Sequence, residues 1–222
     1  MSDHKTSYRQ IVKSTSLFGG VQVFTIIITI IRTKFIAILL GPAGIGIVGL
    51  LNSTISFISA LTNFGLERSA VKNIALSNAQ NDKGKISLTV SILRKLVWIT
   101  GIFGALITII FSSSISELTF GNKDYSSAFV WLSITLLVNQ ISIGQTVVLR
   151  GMQKLRFMAK SSLWGSLLGL IVSVPIYYFW GLDGIVPAII ISSLFALFIS
   201  FHYSSKVGIN TINPNNDEFY QE

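Results

Sequence analysis

The chain has 222 residues, of which half are hydrophobic and only 12% charged, and its formal net charge is +8; the mean hydropathy is +0.66. Soluble domains carry about 25% charged residues, and here the apolar residues come in runs of about 20, the length that crosses a bilayer, so a soluble globular domain is excluded and an integral membrane protein expected. The chain has no Cys, which excludes a disulfide framework and thiolate chemistry; with only His4 and His202, near opposite ends, no metal centre or cofactor is expected.

Residues 1–16 read as a polar N-terminal segment. The apolar run 17–40 is too long for the core of a signal peptide and is followed by no A-x-A-like site, so it is expected to stay as an anchor. Gly41-Pro42-Ala43-Gly44 predicts a tight turn into a second span, 45–64. A polar segment, about 67–87, is expected to carry a short interfacial helix. A third span follows at 88–111, its start blurred by Arg94 and Lys95. "SSSISELTFGNKDYSS" reads as a loop, 128–149 as the fourth span and "RGMQKLRFMAK" as a short basic loop. The fifth span, 161–180, contains Pro175; "GLDG" turns the chain into the sixth, 185–203. The tail, 204–222, is polar and expected to be disordered. The fold class is therefore an all-α integral membrane protein, a six-helix bundle over 17–203.

Loops alternate sides along such a bundle. One side collects Lys5, Arg9, Lys13, Arg68, Lys72, Lys83, Lys85, Arg94, Lys95, Arg150, Lys154, Arg156, Lys160 and Lys206, and the other only Lys123. Basic loops stay on the cytoplasmic side, so both termini are expected there. The basic excess is then a property of topology and of anionic headgroups, and nucleic acid is not an expected partner; membrane lipids are. Trp131, Trp180, Tyr177 and Tyr178 fall near expected outer ends, where aromatic belts form. Gly165 and Gly169, with Ser162, Ser166 and Ser173, read as a stripe for close helix packing.

Three spans carry polar seams. On the first, Gln22, Thr25, Thr29, Arg32 and Thr33 fall within an arc of about 100° at 100° per residue. Lys34 lies elsewhere on that helix, nearer the outer end, and reads as a snorkelling anchor. On the second, Asn52, Ser56, Ser59 and Asn63 form a narrow stripe; on the fourth, Thr135, Asn139, Ser142 and Thr146 share a face. Such seams serve interhelical hydrogen bonds, worth about 0.6 kcal/mol each, or a hydrated cavity. Arg32 favours the cavity. A basic residue deep in a span costs about 2.5–3.5 kcal/mol, Leu40 is about 12 Å away along the helix, and no acid lies in any span; strained snorkelling is the competing reading. An acid-free lining suits phosphate and sugar hydroxyls rather than cationic drugs. No catalytic set of Ser, His and Asp, and no phosphate-binding loop between strand and helix, points to an enzyme.

"RTKFIAILLGPAGIGIVGL", "NFGLERSAV" and "LRGMQK" resemble bacterial polysaccharide-biosynthesis flippases, the oligosaccharide translocases of the multidrug/oligosaccharidyl-lipid/polysaccharide exporter superfamily, and the similarity runs over about residues 10–205. The resemblance implies two six-helix lobes facing a central cavity and, in the inner membrane, alternating-access transfer of polyprenyl-diphosphate-linked oligosaccharide for polysaccharide or O-antigen synthesis. It implies diphosphate engagement by Arg32, then Arg68, with glycan beside Gln22, Thr25, Thr29, Asn52 and Asn63. Family members have 12–14 spans, so six spans correspond to the N-terminal lobe, expected to be a truncated or split half that would work with a C-terminal half or a second copy. An exporter of drugs or other amphiphiles, and a non-transporting membrane assembly subunit, are the competing expectations.

Overall fold

The computed structural model describes residues 2–208, with side chains from Gly19 onward. Seven α-helices follow in order: α1 (Ser2–Thr62), α2 (Leu66–Ala79), α3 (Lys83–Ile110), α4 (Ser112–Phe120), α5 (Ser126–Gly151), α6 (Leu155–Trp180) and α7 (Ile185–Ser205), with a 3-10 turn, Gly181–Gly184, joining the last two. No strand occurs among the described residues.

The expected turn after the first span is compressed into one residue. Gly41 leaves helical geometry at φ 68°, ψ −172°, a region open essentially to glycine alone. Pro42 then restarts the helix, where its missing N–H costs nothing and its fixed φ is pre-set. The bend presses Leu40 onto Gly44, where a Cβ would stand 2.2 Å from that of Leu40.

By length and composition four continuous helical stretches can cross a membrane: Gly19–Thr62, Lys83–Ile110, Ser126–Gly151 and Leu155–Ser205. Two of them run 44 and 51 residues. At 1.5 Å per residue either would reach more than twice the about 30 Å of a hydrocarbon core if straight. Both are broken near the middle, at Gly41 and at the 3-10 turn. Against the six spans expected, the described residues thus give four candidate stretches, two of them interrupted midway.

The helix ends also move. The third expected span begins earlier, at Lys83, where Asp82 caps the helix by accepting from the Lys85 N–H at 3.0 Å. Most of the basic "loop" after the fourth span is helical, only Met152–Lys154 lying outside α5 and α6. Part of the serine-rich loop is α4. Its Ser116 hydroxyl donates to the Asn122 carbonyl at 2.7 Å and accepts from the Tyr125 N–H at 3.2 Å, tying the turn shut, while Phe120 stacks on Tyr125 with centroids 4.0 Å apart. Three serines in a row hid a helix whose apolar side packs on the core.

Two apolar clusters hold the bundle. At the kink end, Ile36 from the first half of α1 meets Leu51, Ile55 and Ile58 from its second half, together with Phe129, Leu132, Tyr177 and Ile185. Tyr177, expected in an interfacial belt, is 1% exposed in this cluster. At the other end α2, α3 and α5 bury Ile74, Val90, Leu93, Val97, Val147 and Val148 together. Glycine allows the close approaches here: a Cβ on Gly101 would stand 3.3 Å from the Cβ of Gln140, and one on Gly144 3.1 Å from Val97. These two contacts pair residues in opposite chain order, so α3 and α5 are antiparallel. The same holds for α6 and α7, where Gly165 faces Ala196 and Gly169 faces Ser192.

The outside is apolar. Phe24, Ile30, Ile38, Phe57, Ile99, Ile110, Phe179 and Phe198 are all exposed, a belt far beyond the patches that water-soluble monomers tolerate. Most of the described basic residues lie on α2, the first half of α3, the junction of α5 with α6 and the end of α7.

Gly151→Ala would set a Cβ 2.5 Å from Cγ2 of the fully buried Ile74, so α2 must move off α5. Overpacking of this kind costs about 1–3 kcal/mol. Gly49→Ala meets nothing within 4 Å. Unfolding in detergent should show a lower midpoint for Gly151→Ala and none of that loss for Gly49→Ala.

Candidate functional site: a polar cavity on the bundle

α1, α5, α6 and α7 line an open-sided cavity of about 530 Å³. Each helix contributes a polar stripe. From α1 come Gln22, Arg32 and Asn52; from α5, Thr135, Asn139, Ser142, Thr146 and Arg150; from α6, Ser162, Gly165, Ser166 and Gly169; from α7, Ser192, Ser193, Ala196 and Ser200. The spacing in α5 is four, three and four residues, which keeps all four neutral polar side chains on one face. The stripe in α7 repeats every four residues in small side chains. The glycines and serines of α6 do pack against α7, and they also form the cavity floor.

A second hollow of about 460 Å³ continues from the first. It shares Asn139, Ser142 and Thr146 with it and adds Ser56, Ser59, Asn63 and Glu67. The two form one polar trough that reaches the basic end, where Arg150 donates to Glu67 in an ion pair. Glu67 is the only acidic residue lining either hollow.

Arg32 sits deep in this trough. Its Nη1 lies 3.9 Å from the point a Cβ would occupy on Gly169, near the middle of α6. Its Nε is buried with no hydrogen-bond partner among the described residues, and no acid there lies within ion-pair distance of it. Two more cavity-lining groups are buried without partners, the hydroxyls of Thr135 and Ser192. Unpaired buried polar atoms are rare, because each forfeits about 1–3 kcal/mol of solvation. Three around one cavity mark where water or a ligand is needed.

The other expected site residues fall in different places. Gln22 and Asn52 line the main cavity and Asn63 the adjoining hollow. The hydroxyls of Thr25 and Thr29 donate to the carbonyls of Val21, at 3.0 Å, and Thr25, at 2.9 Å. They are satisfied within their own helix, and neither residue lines the cavity. Arg68 is exposed on α2, outside both hollows. Lys34 is exposed and lines neither.

Gln140 is a residue that periodicity passed over. It is 2% exposed. Its amide nitrogen donates to Oδ1 of Asn63 at 3.2 Å and to Oγ1 of Thr100 at 3.0 Å, tying the end of α1 to α3 and α5 beside the trough. It lies 100° round α5 from Asn139, so the polar stripe excluded it. The adjacent amide pair in "VNQIS" was the available signal.

These features define a multi-pass, all-helical membrane protein with a polar cavity, lined by an arginine, Arg32, that has no acid partner among the described residues. Residues 11–219 match the polysaccharide biosynthesis protein family, and the chain belongs to it. No curated protein and no solved structure matches the chain significantly.

The natural chain lacks cysteine, so single-cysteine variants report accessibility cleanly. Ser166→Cys and Asn139→Cys in the trough should react with a membrane-impermeant, charged thiosulfonate, because such reagents attack only hydrated thiolates. Ile171→Cys, 55% exposed on the apolar outside of α6, should stay unlabelled.

Proposed function

We propose that this chain takes part in moving polyprenyl-diphosphate-linked oligosaccharide across the bacterial cytoplasmic membrane, with the trough as the path of its polar head. The single observation that carries this reading is Arg32: a guanidinium deep among apolar helices, with no acid within ion-pair distance among the described residues. A guanidinium fork matches phosphate oxygens in bidentate geometry, and the surrounding Asn, Gln, Ser and Thr groups offer the mixed donors and acceptors that sugar hydroxyls require. The family supports the same direction, since its members serve polysaccharide biosynthesis.

In this reading the Gly41 bend and the 3-10 turn reverse the chain, giving six crossings with both termini cytoplasmic, and the basic end of the bundle lies at the cytoplasmic surface. The trough then opens toward the leaflet where lipid-linked sugars are built. Gln22, Asn52 and Ser56 are exposed along its open side. Polar side chains facing hydrocarbon are costly, so a second bundle, a C-terminal half or another copy of this chain, covers that side and completes the cavity. The mechanism is not enzymatic: no bond changes, and rocking of two bundles exposes the head to either side in turn. Arg68, at the cytoplasmic mouth, acts as an entry contact rather than as part of the deep site.

Export of drugs or other amphiphiles by the same route is the second reading. It is disfavoured by the lining, in which the only acid, Glu67, is already paired with Arg150; cationic cargo calls for a free carboxylate.

A glycan-export complementation assay, with any partner half coexpressed, tests the proposal. Losing one charge-assisted phosphate contact costs about 1.5–3 kcal/mol, so Arg32→Ala should cut surface glycan about tenfold or more at equal protein level. Lys34→Ala should export nearly as wild type. Undiminished export by Arg32→Ala would overturn the assignment.

A further inference from the structure

A different hollow lies on the outside of the α6–α7 hairpin. Trp164, Leu168, Phe198, Ile199, His202 and Tyr203 line a groove of about 300 Å³, at the lower end of the range for small-molecule sites. Trp164 and Leu168 lie about 100° round α6 from the glycines and serines that face the trough. The groove therefore opens to the apolar exterior, where Trp164 is 49% and Phe198 72% exposed. Nothing in the proposed transport path uses it.

Its basic end has a distinct chemistry. Phe157, Lys160, Trp164 and Leu168 share one face of α6 within an arc of about 80°. Phe157 packs against Tyr203 with ring centroids 6.1 Å apart, and the His202 ring meets Tyr203 edge-on at 5.5 Å. Lys206 reaches back over the Tyr203 ring, its Nζ 5.3 Å from the centroid. Because α6 and α7 are antiparallel, Lys160, one turn before Trp164, and Lys206, just past the end of α7, lie toward the same end of the hairpin. Neither lysine has a carboxylate partner among the described residues. The result is an apolar slot of aromatic and aliphatic walls, capped by aromatic edges and two exposed ammonium groups.

We propose that this groove is a specific site for one anionic phospholipid of the leaflet at the basic end, with an acyl chain lying along Trp164, Leu168 and Phe198 and the headgroup phosphate between Lys160 and Lys206. The charge and the amphipathic shape select this occupant: a zwitterionic lipid offsets its phosphate with its own cation beside the two ammonium groups, and a soluble phosphate would leave the apolar walls exposed. Each lysine near an anionic headgroup contributes about 1 kcal/mol, so two of them set an upper limit of about thirtyfold on the preference for an anionic over a zwitterionic lipid. The site is independent of the trough and of any glycan.

Trp164 in the groove wall supplies the readout. A variant with Trp98, Trp131 and Trp180 replaced by Phe keeps Trp164 as the only tryptophan. In vesicles doped with brominated phosphatidylglycerol or brominated phosphatidylcholine, the mole fraction that half-quenches Trp164 should be lower for the glycerol lipid by about fivefold or more. A smaller difference overturns the proposal. In the Lys160→Gln, Lys206→Gln double variant the two lipids should become equal; a preference that persists there overturns the assignment of the headgroup site. Glycerol 3-phosphate added to the buffer should leave the quenching unchanged, and protection by it would mean that phosphate alone is bound. If the triple Phe variant does not fold, native mass spectrometry of the wild-type protein with the same two unbrominated lipids gives the same comparison: retained phosphatidylglycerol, lost in the double lysine variant, is expected, and equal retention of both lipids overturns the site.

Discussion

The strongest electrostatic constraint in this bundle is a guanidinium held away from the ends of its helix. A charge at that depth costs several kcal/mol unless water, an anion or a paired acid answers it. The described residues provide no acid beside Arg32. They provide Gly169, whose missing side chain leaves room for the guanidinium, and the hydroxyls of Thr135 and Ser192, which have no partners of their own. Four helices turn polar stripes toward this point. The stripes of α6 and α7 are made of small residues, so one set of positions both brings the helices together and leaves the space open.

The two ends of the bundle do different work. At the kink end, the Gly41 bend lets both halves of α1 bury apolar side chains in one cluster with α5, α6 and the 3-10 turn. At the basic end, α2 lies across α3 and α5, and the ion pair of Glu67 with Arg150 joins α2 to α5 at the mouth of the trough. Neither residue of the pair is deeply buried, so its direct contribution to stability is small; its importance is its position, where it occupies the one carboxylate that could have drawn cationic cargo. Gln140 links the same region internally, by holding Asn63 and Thr100 with its two amide hydrogens.

Much of this was legible in the sequence. Long apolar runs announced the membrane helices, and "GPAG" announced the bend, because glycine reaches backbone angles closed to other residues and proline is suited to restart a helix. The α5 stripe of Thr135, Asn139, Ser142 and Thr146 was visible as helical spacing, and all four residues line the cavity. Periodicity failed where a side chain had a choice of partner. Thr25 and Thr29 share the arc of Arg32, yet a threonine hydroxyl on a helix readily bonds the carbonyl four residues back, which removes these two from the cavity chemistry. Composition failed at Tyr177, which looked like a belt residue and is buried, and at "SSSISELTF", whose serines looked like a loop. Gln140 and the serines of α7 were missed because their importance depends on which helix packs beside them, which no single span encodes.

The outer groove and the trough show how one helical hairpin can present two solvents to its neighbours. Small polar residues on one face of α6 and α7 line a hydrophilic hollow, and about 100° away the same helices offer aromatic walls to lipid. Both faces approach the basic end, where ammonium and guanidinium groups meet the headgroup layer.

Whether Arg32 recognises the diphosphate of a lipid-linked glycan, as proposed, is addressed most directly by affinity measured on purified protein in nanodiscs. A polyprenyl-diphosphate oligosaccharide would be compared with the same polyprenol glycoside lacking the diphosphate, on wild-type protein and on Arg32→Gln. The substitution should weaken binding of the diphosphate lipid by about tenfold or more and leave the phosphate-free lipid unchanged. Equal affinity of the two proteins for the diphosphate lipid would contradict it.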